Sequence, residues 1–222
     1  NLKIDFRSFI HVEGVEAKVF RTQKVNILEH TAIILTSKNA ADHFFRICEE
    51  TIVTVPETMK YFCVSEAIAY YLQKYVVYRK RKIFYGGNTF RDLVEVLKKH
   101  KGEKFLLPCI EGLKPTVPAS LDALGVAYTK AILYKTVCSD LSDLADVNYD
   151  VLVFYSPSGI KSLFEHFPDF KQNKTRIAAF GPTTTHAVKE RSLKLDIGAP
   201  VPKAPSMTMA LDQYIKEANK KR

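Results

Sequence analysis

Four times along this chain a short apolar run leads straight into a Ser or Thr turn and then into an amphipathic stretch of helical spacing. The runs are residues 32–35, 61–64, 151–155 and 177–180. The turns that follow carry Thr36 and Ser37, then Ser65, then Ser156 and Ser158, and last Thr183 and Thr184. A run of four or five apolar residues has the length of a buried strand, and small hydroxyl residues are those that start helices. Repeated strand and helix units joined by short turns predict parallel sheets covered by helices on both faces. In such sheets ligands bind beyond the carboxyl ends of the strands, where all four turns fall. Backbone N–H groups left unpaired at a helix start favour an anion there. In the last unit Thr183 is expected to cap a helix over residues 184–193.

The remaining segments extend the pattern. Residues 2–6 read as a first strand, 16–28 as a helix, 76–78 and 83–85 as short strands, and 89–99 as a helix. A strand over 104–107 is expected to stop at Pro108, with a loop over 109–118 and a short helix over 119–124. Residues 126–136 form an extended run about twice as long as a buried strand. Further on, 160–166 reads as a helix and 195–197 as a strand, and Ser206 is placed to cap a closing helix over 207–218. The strands are too many for one small sheet, so the fold class is α/β with two doubly wound parallel-sheet domains. One consists of 1–8 with 136–222 and the other of 9–135, joined by linker strands near 8–12 and 130–136. The chain has no initiator Met, and the start of the first domain is expected to lie before Asn1.

The formal charge is +9, from 33 Lys and Arg against 24 Asp and Glu. A basic surface attracts nucleic acid, anionic lipid or a small polyanion. The densest run, Arg79 to Lys82, and the closing Lys220, Lys221 and Arg222 lack interleaved exposed aromatics, so they read as solvated edge and tail charges. No zinc finger, RNA-recognition signature or helix-turn-helix is present, and no apolar run approaches the roughly 20 residues that span a bilayer. The four cysteines are far apart without a C-x-x-C pair, which predicts neither a disulfide framework nor a metal site and suits a reducing cytoplasm. No phosphate loop, dinucleotide fingerprint or serine-nucleophile motif occurs. His186, in the helix after Thr183, reads as solvent-facing. What remains is a cofactor-free binder or a lightly catalytic enzyme, and Tyr134, inside the long extended run, is the best-placed neutral proton donor.

The stretch FGPTTTHAVKERSLKLDIGAPVPKAPSMTMALDQYI resembles the C-terminal signature of uroporphyrinogen-III synthases. VFYSPSGIKSLFEHF is similar to that family's Ser-Pro-Ser turn, AIILTSKNAADHFF to its Thr-Ser turn, YFCVSEAIAYYL to its other turn, and ILYKTV to its second interdomain strand. The resemblance covers nearly the whole chain in order. It implies two α/β domains joined by a two-stranded linker, with the active site between them, in a cytoplasmic, cofactor-free, usually monomeric enzyme. That enzyme closes hydroxymethylbilane, a linear tetrapyrrole with eight carboxylates, into uroporphyrinogen III. Water is released and the last pyrrole ring is inverted through a proposed spirocyclic intermediate. Such a substrate accounts for the basic balance without nucleic acid or membrane. By position, Tyr134 matches the linker Tyr proposed to help the hydroxyl depart. Ser37, Ser65, Ser156 and Thr183 match turn residues that contact substrate carboxylates, with Thr36, Ser158 and Thr184 beside them. Arg176 stands where a basic residue is common, and Asn39 replaces an Arg found in some members. The alternative that these residues leave open is a non-catalytic two-lobed binding module for a small polyanionic ligand.

Overall fold

The computed structural model describes residues 2–220 and divides into two compact units. One is Val12–Thr136; the other comprises the residues up to His11 and those from Val137 onward. Lys221 and Arg222 of the closing basic cluster lie outside the described residues.

Within Val12–Thr136 the strands are β1 (Ile10–Gly14), β2 (Ala32–Leu35), β3 (Lys60–Cys63), β4 (Ile83–Tyr85), β5 (Phe105–Ile110) and β6 (Tyr128–Cys138), the first and last of which run on past the division. They form one sheet in the order β1-β6-β5-β2-β3-β4, and the pairs from β6 to β4 are parallel. Period-two alternation sends β2 residues to opposite faces. Ile33 and Leu35 pack with Phe44 and Ile47 of α2 (Lys38–Glu50), while Ala32 and Ile34 pack with Leu93 and Leu97 of α4 (Phe90–Leu97) and Leu121 of α5 (Thr116–Leu124). Burial on both faces explains why β2 reads as an unbroken apolar run. From β2 the chain winds outward through β3 and β4, then returns to place β5 on the other side of β2. The crevice beyond the carboxyl ends of β2 and β5 is therefore a topological switch point, the usual ligand position in such sheets.

The second unit has a three-stranded parallel sheet, β7 (Val151–Phe154), β8 (Arg176–Phe180) and β9 (Leu195–Ala199), in that order. Ile177 and Ala179 face Ile160 and Leu163 of α6 (Pro157–His166) and Val188 of α7 (Pro182–Glu190). Ala178 and Ile197 face Met207 and Ala210 of α8 (Met207–Lys220), whose start Ser206 caps by accepting from Met209 N–H at 3.2 Å.

Several expectations are corrected. Residues 2–6 form no strand: Leu2, Ile4 and Phe6 are exposed, and without a neighbouring strand an extended segment has nothing to pair its backbone with. Residues 16–28 are not one helix. The first helix, α1 (Ala17–Thr22), stops before Lys24, which takes a left-handed φ of 54°, and Asn26 then caps a separate turn by accepting from Leu28 N–H. Residues 76–78 are not a strand, because Val76 N–H closes a helical turn on Leu72 O at 2.9 Å. Nor does Pro108 stop β5. Phe105 N–H points at Ala127 O on the β6 side, so alternation puts the N–H that proline lacks on the β2 side, past the last β2 pair, Ile33 with Leu106.

Candidate active site

Ser37, two residues past β2, is extended and caps α2, its Oγ accepting from Ala40 N–H at 3.1 Å. The cap occupies one lone pair and leaves the hydroxyl proton free to donate. Tyr134 sits on β6 opposite Ile110, at the carboxyl end of β5, with its carbonyl accepting from Glu111 N–H at 2.8 Å. Its hydroxyl lies 3.4 Å from Ser37 Oγ, a long contact of the kind that tightens around a bound substrate. Only 6% of Tyr134 is exposed. Burial pushes the phenol pKa above its ordinary value, against the smaller effect of the Ser37 hydrogen bond, so the group keeps its proton at neutral pH.

The turn after β3 lies beside that of β2, since Leu35 pairs with Cys63 and Val64 N–H donates to Leu35 O at 3.0 Å. Thr36 and Ser65 therefore share one sheet end with Ser37. Ser65 precedes a helix of six residues, α3 (Glu66–Tyr71), without making a side-chain cap bond.

In the second unit Phe154 pairs with Ala179, which brings the turns after β7 and β8 side by side. Ser156 caps α6 through a 3.4 Å contact from Gly159 N–H, and Pro157, Ser158 and Gly159 belong to the helix rather than to a preceding turn. At α7 the expected cap is wrong. Gly181, at φ 85°, stands at the N-cap without a side chain, and the helix already includes Pro182. Thr183 is exposed in the first turn, whereas Thr184 is buried, which closes its side chain to a ligand in this structure. The N–H groups of Thr183 and Thr184 precede the first intrahelical bond, from Thr185 N–H to Gly181 O, and so are left for an outside acceptor. Arg176 is not part of this cluster. It is the first residue of β8, about 13 Å from the turn at ~3.3 Å per residue, and faces Asp196 at 3.7 Å. His186 is exposed and lies 3.5 Å from Glu190.

Sequence reasoning passed over two residues of α2. His43 stacks on the Tyr134 ring, with centroids 5.0 Å apart and planes 18° from parallel. Arg46 donates through Nε to His43 Nδ1 at 3.2 Å and through Nη2 to the carbonyls of Val15 and Leu133 at 2.8 and 3.2 Å. Gly14 makes room for it, since a Cβ there would stand 2.7 Å from the guanidinium carbon. The spacing of His43, Arg46 and Glu50 on one helix face was a usable signal.

Comparison with known proteins points to one family. The model of the family described as uroporphyrinogen-III synthase HemD matches residues 6–209. A uroporphyrinogen-III synthase of Chlorobaculum parvum is 25% identical over 207 residues, covering 86% of this chain and 82% of its own. That of Saccharomyces cerevisiae is 24% identical over 139 residues, 55% of this chain and half of the yeast protein. In fold, the chain is similar to the crystal structure of uroporphyrinogen-III synthetase from Helicobacter pylori, with a TM-score of 0.59, 18% identity, and 94% and 91% of the two chains covered. A mutant uroporphyrinogen III synthase from Thermus thermophilus gives a TM-score of 0.51 at 14% identity, covering 94% and 88%. With hydroxyl-bearing turns at the carboxyl ends of both parallel sheets and a family match running through all four of them, the chain belongs to the uroporphyrinogen-III synthase family.

Proposed function

We propose that Tyr134, with Ser37 beside it, is the proton donor of the cyclisation, and that the other turns hold substrate carboxylates. Family membership makes the reaction that of uroporphyrinogen-III synthase in heme biosynthesis, the closure of hydroxymethylbilane with loss of water. The reading rests on one observation above the rest. A buried phenol that keeps its proton lies 3.4 Å from a hydroxyl whose own proton is free, at the switch point of the larger sheet.

In this reading the C–O bond of the terminal hydroxymethyl group breaks and the oxygen leaves as water with the phenolic proton. The carbon left behind is an electrophilic azafulvenium, which the substituted carbon of the last pyrrole attacks to form the spirocycle. The bond from that carbon to its original methylene bridge then breaks, leaving an azafulvenium on the neighbouring pyrrole, and the unsubstituted α-carbon of the turned ring attacks it to close the macrocycle. The proton that this carbon loses returns to the phenolate. A phenol whose pKa is raised by burial is a weak acid, so its contribution belongs at the low end of general acid catalysis, about 10-fold to 100-fold. Most of the acceleration then comes from holding the two ends of a flexible chain together, which can be worth several kcal/mol.

Ser65, Ser156, Ser158 and the amides after Gly181 are assigned to carboxylates, because helix starts offer unpaired N–H groups and a favourable dipole. Thr36, beside Ser37, shares that assignment. Arg176 is left out on its position at the amino end of β8. We read the two compact units as the family's two domains, acting as a cytoplasmic monomer without cofactor or nucleic acid. Sedimentation at the mass of one chain is the expected result for the monomer.

The experiment is to supply hydroxymethylbilane to the purified chain and separate the type I and type III products. Type III in excess of the spontaneous type I product is expected. Type I alone, with the linear tetrapyrrole bound, would leave a binding module in its place.

A further inference from the structure

We propose that His43 is a positioning residue for Tyr134, held in turn by Arg46. Three contacts within the unit Val12–Thr136 carry this. The imidazole lies offset-parallel on the phenol ring, 5.0 Å between centroids, so the ring cannot turn about its own axis without parting from it. The Arg46 Nε–H donates to His43 Nδ1, which makes that nitrogen the acceptor and puts the imidazole proton on Nε2. The same guanidinium binds the carbonyl of Leu133, one residue before Tyr134, and that of Val15, while Nη1 pairs with Glu50 Oε1 at 2.5 Å. Arg46 thus grips Tyr134 twice, through the backbone ahead of it and through the imidazole on its ring. The outcome is a phenol whose hydroxyl stays directed at the Ser37 turn without a strong hydrogen bond to keep it there, the Ser37 contact being 3.4 Å. Such an arrangement leaves the hydroxyl available to a substrate oxygen. Burial, and secondarily Arg46, depresses the His43 pKa, so the stacked ring stays neutral and does not itself compete as an acid.

The kinetic consequence rests on the proton-donor reading of Tyr134; the geometric one does not. His43→Leu keeps the bulk but removes the flat face and the acceptor, and His43→Phe keeps the face alone. Expected for His43→Leu is a fall in kcat of about 10-fold with KM within about two-fold, and for His43→Phe the recovery of most of that loss. In a Tyr134→Phe background, His43→Leu should cost little more, because no hydroxyl remains to be aimed. An equal loss in both backgrounds, or a parental kcat in His43→Leu, would overturn the proposal. A readout apart from turnover separates it from the reading it rests on. With ring-labelled tyrosine, and Tyr134 assigned through Tyr134→Phe, the exchange between the two sides of the Tyr134 ring should quicken in His43→Leu and stay near the parental rate in His43→Phe. If Tyr134→Phe turns over at the parental rate, the donor role falls while quickened ring flipping still upholds the positioning. A flip rate unchanged in His43→Leu refutes the positioning whatever the kinetics.

Discussion

The turn after β2 and the turn after β8 start from the same plan, an apolar strand running into a helix through Ser or Thr, and end differently. After β2, Ser37 spends one lone pair on Ala40 N–H and touches a buried phenol, itself stacked on His43 and tied through Arg46 to the backbones of β6 and the residue after β1. After β8 there is no side-chain cap: Gly181 leaves amides and an exposed Thr183, next to a Phe180 ring that lies 5.9 Å from that of Tyr155. The larger sheet, of six strands, can bury such a network, whereas the three-stranded sheet supports its turns with two small apolar clusters. In the proposed reading one turn holds a donor in place and the other presents backbone dipoles. A carboxylate needs only the second; a proton transfer needs the first.

If this contrast is right, substitutions at the two turns should separate chemistry from binding. Tyr134→Phe should have the largest effect, lowering kcat about 10-fold to 100-fold with little change in KM. Parental turnover in steady-state assays of type III product would abolish the distinction. Thr183→Leu, which sets a bulky side chain over the open amides, should raise KM about five-fold, roughly 1 kcal/mol, at nearly unchanged kcat. A loss confined to kcat there would place chemistry at both turns.

The rigidity of the first turn also depends on how α2 is held. Burial alone would raise the Asp42 pKa, but hydrogen bonds from Tyr75 and Tyr71, with Lys74 nearby, outweigh it and keep the carboxyl below its usual range. A depressed carboxylate stabilises the fold above its unfolded-state pKa, and the benefit is lost as pH falls through the folded-state value. Asp42→Asn should therefore lower stability by about 1 kcal/mol at pH 7, a modest figure because the group is partly exposed. In denaturant titrations the gap from the parent should narrow as the pH drops below about 4. A gap of constant size would mean that the charge is not what the two tyrosines hold. The smallest effect is expected for Arg176→Ala, at the far end of β8 and paired with Asp196: KM within about two-fold and stability within about 1 kcal/mol. A large rise in KM would restore Arg176 to the site.

Much of this was legible in the chain alone. The continuous apolar run of β2, the hydroxyl-bearing turn after it and the position of Tyr134 within a long strand are local facts, determined by side chains within a few residues of one another. Local reading failed where partners are distant. Residues 2–6 have the pattern of a strand but no neighbour, Pro108 is tolerated because the pairing of β5 with β2 stops before it, and Gly181 rather than Thr183 stands at the N-cap because the backbone there is left-handed.

By itself, then, the sequence determined the class of fold, the four hydroxyl-bearing turns and the one phenol worth testing, because periodicity and capping act over short range. Tertiary structure alone decided which of those groups meet. Strand order brought β6 beside β5 and Tyr134 within reach of Ser37, and set the imidazole of His43 on the phenol. Those two side-chain contacts join residues about ninety to a hundred positions apart, which no local pattern encodes.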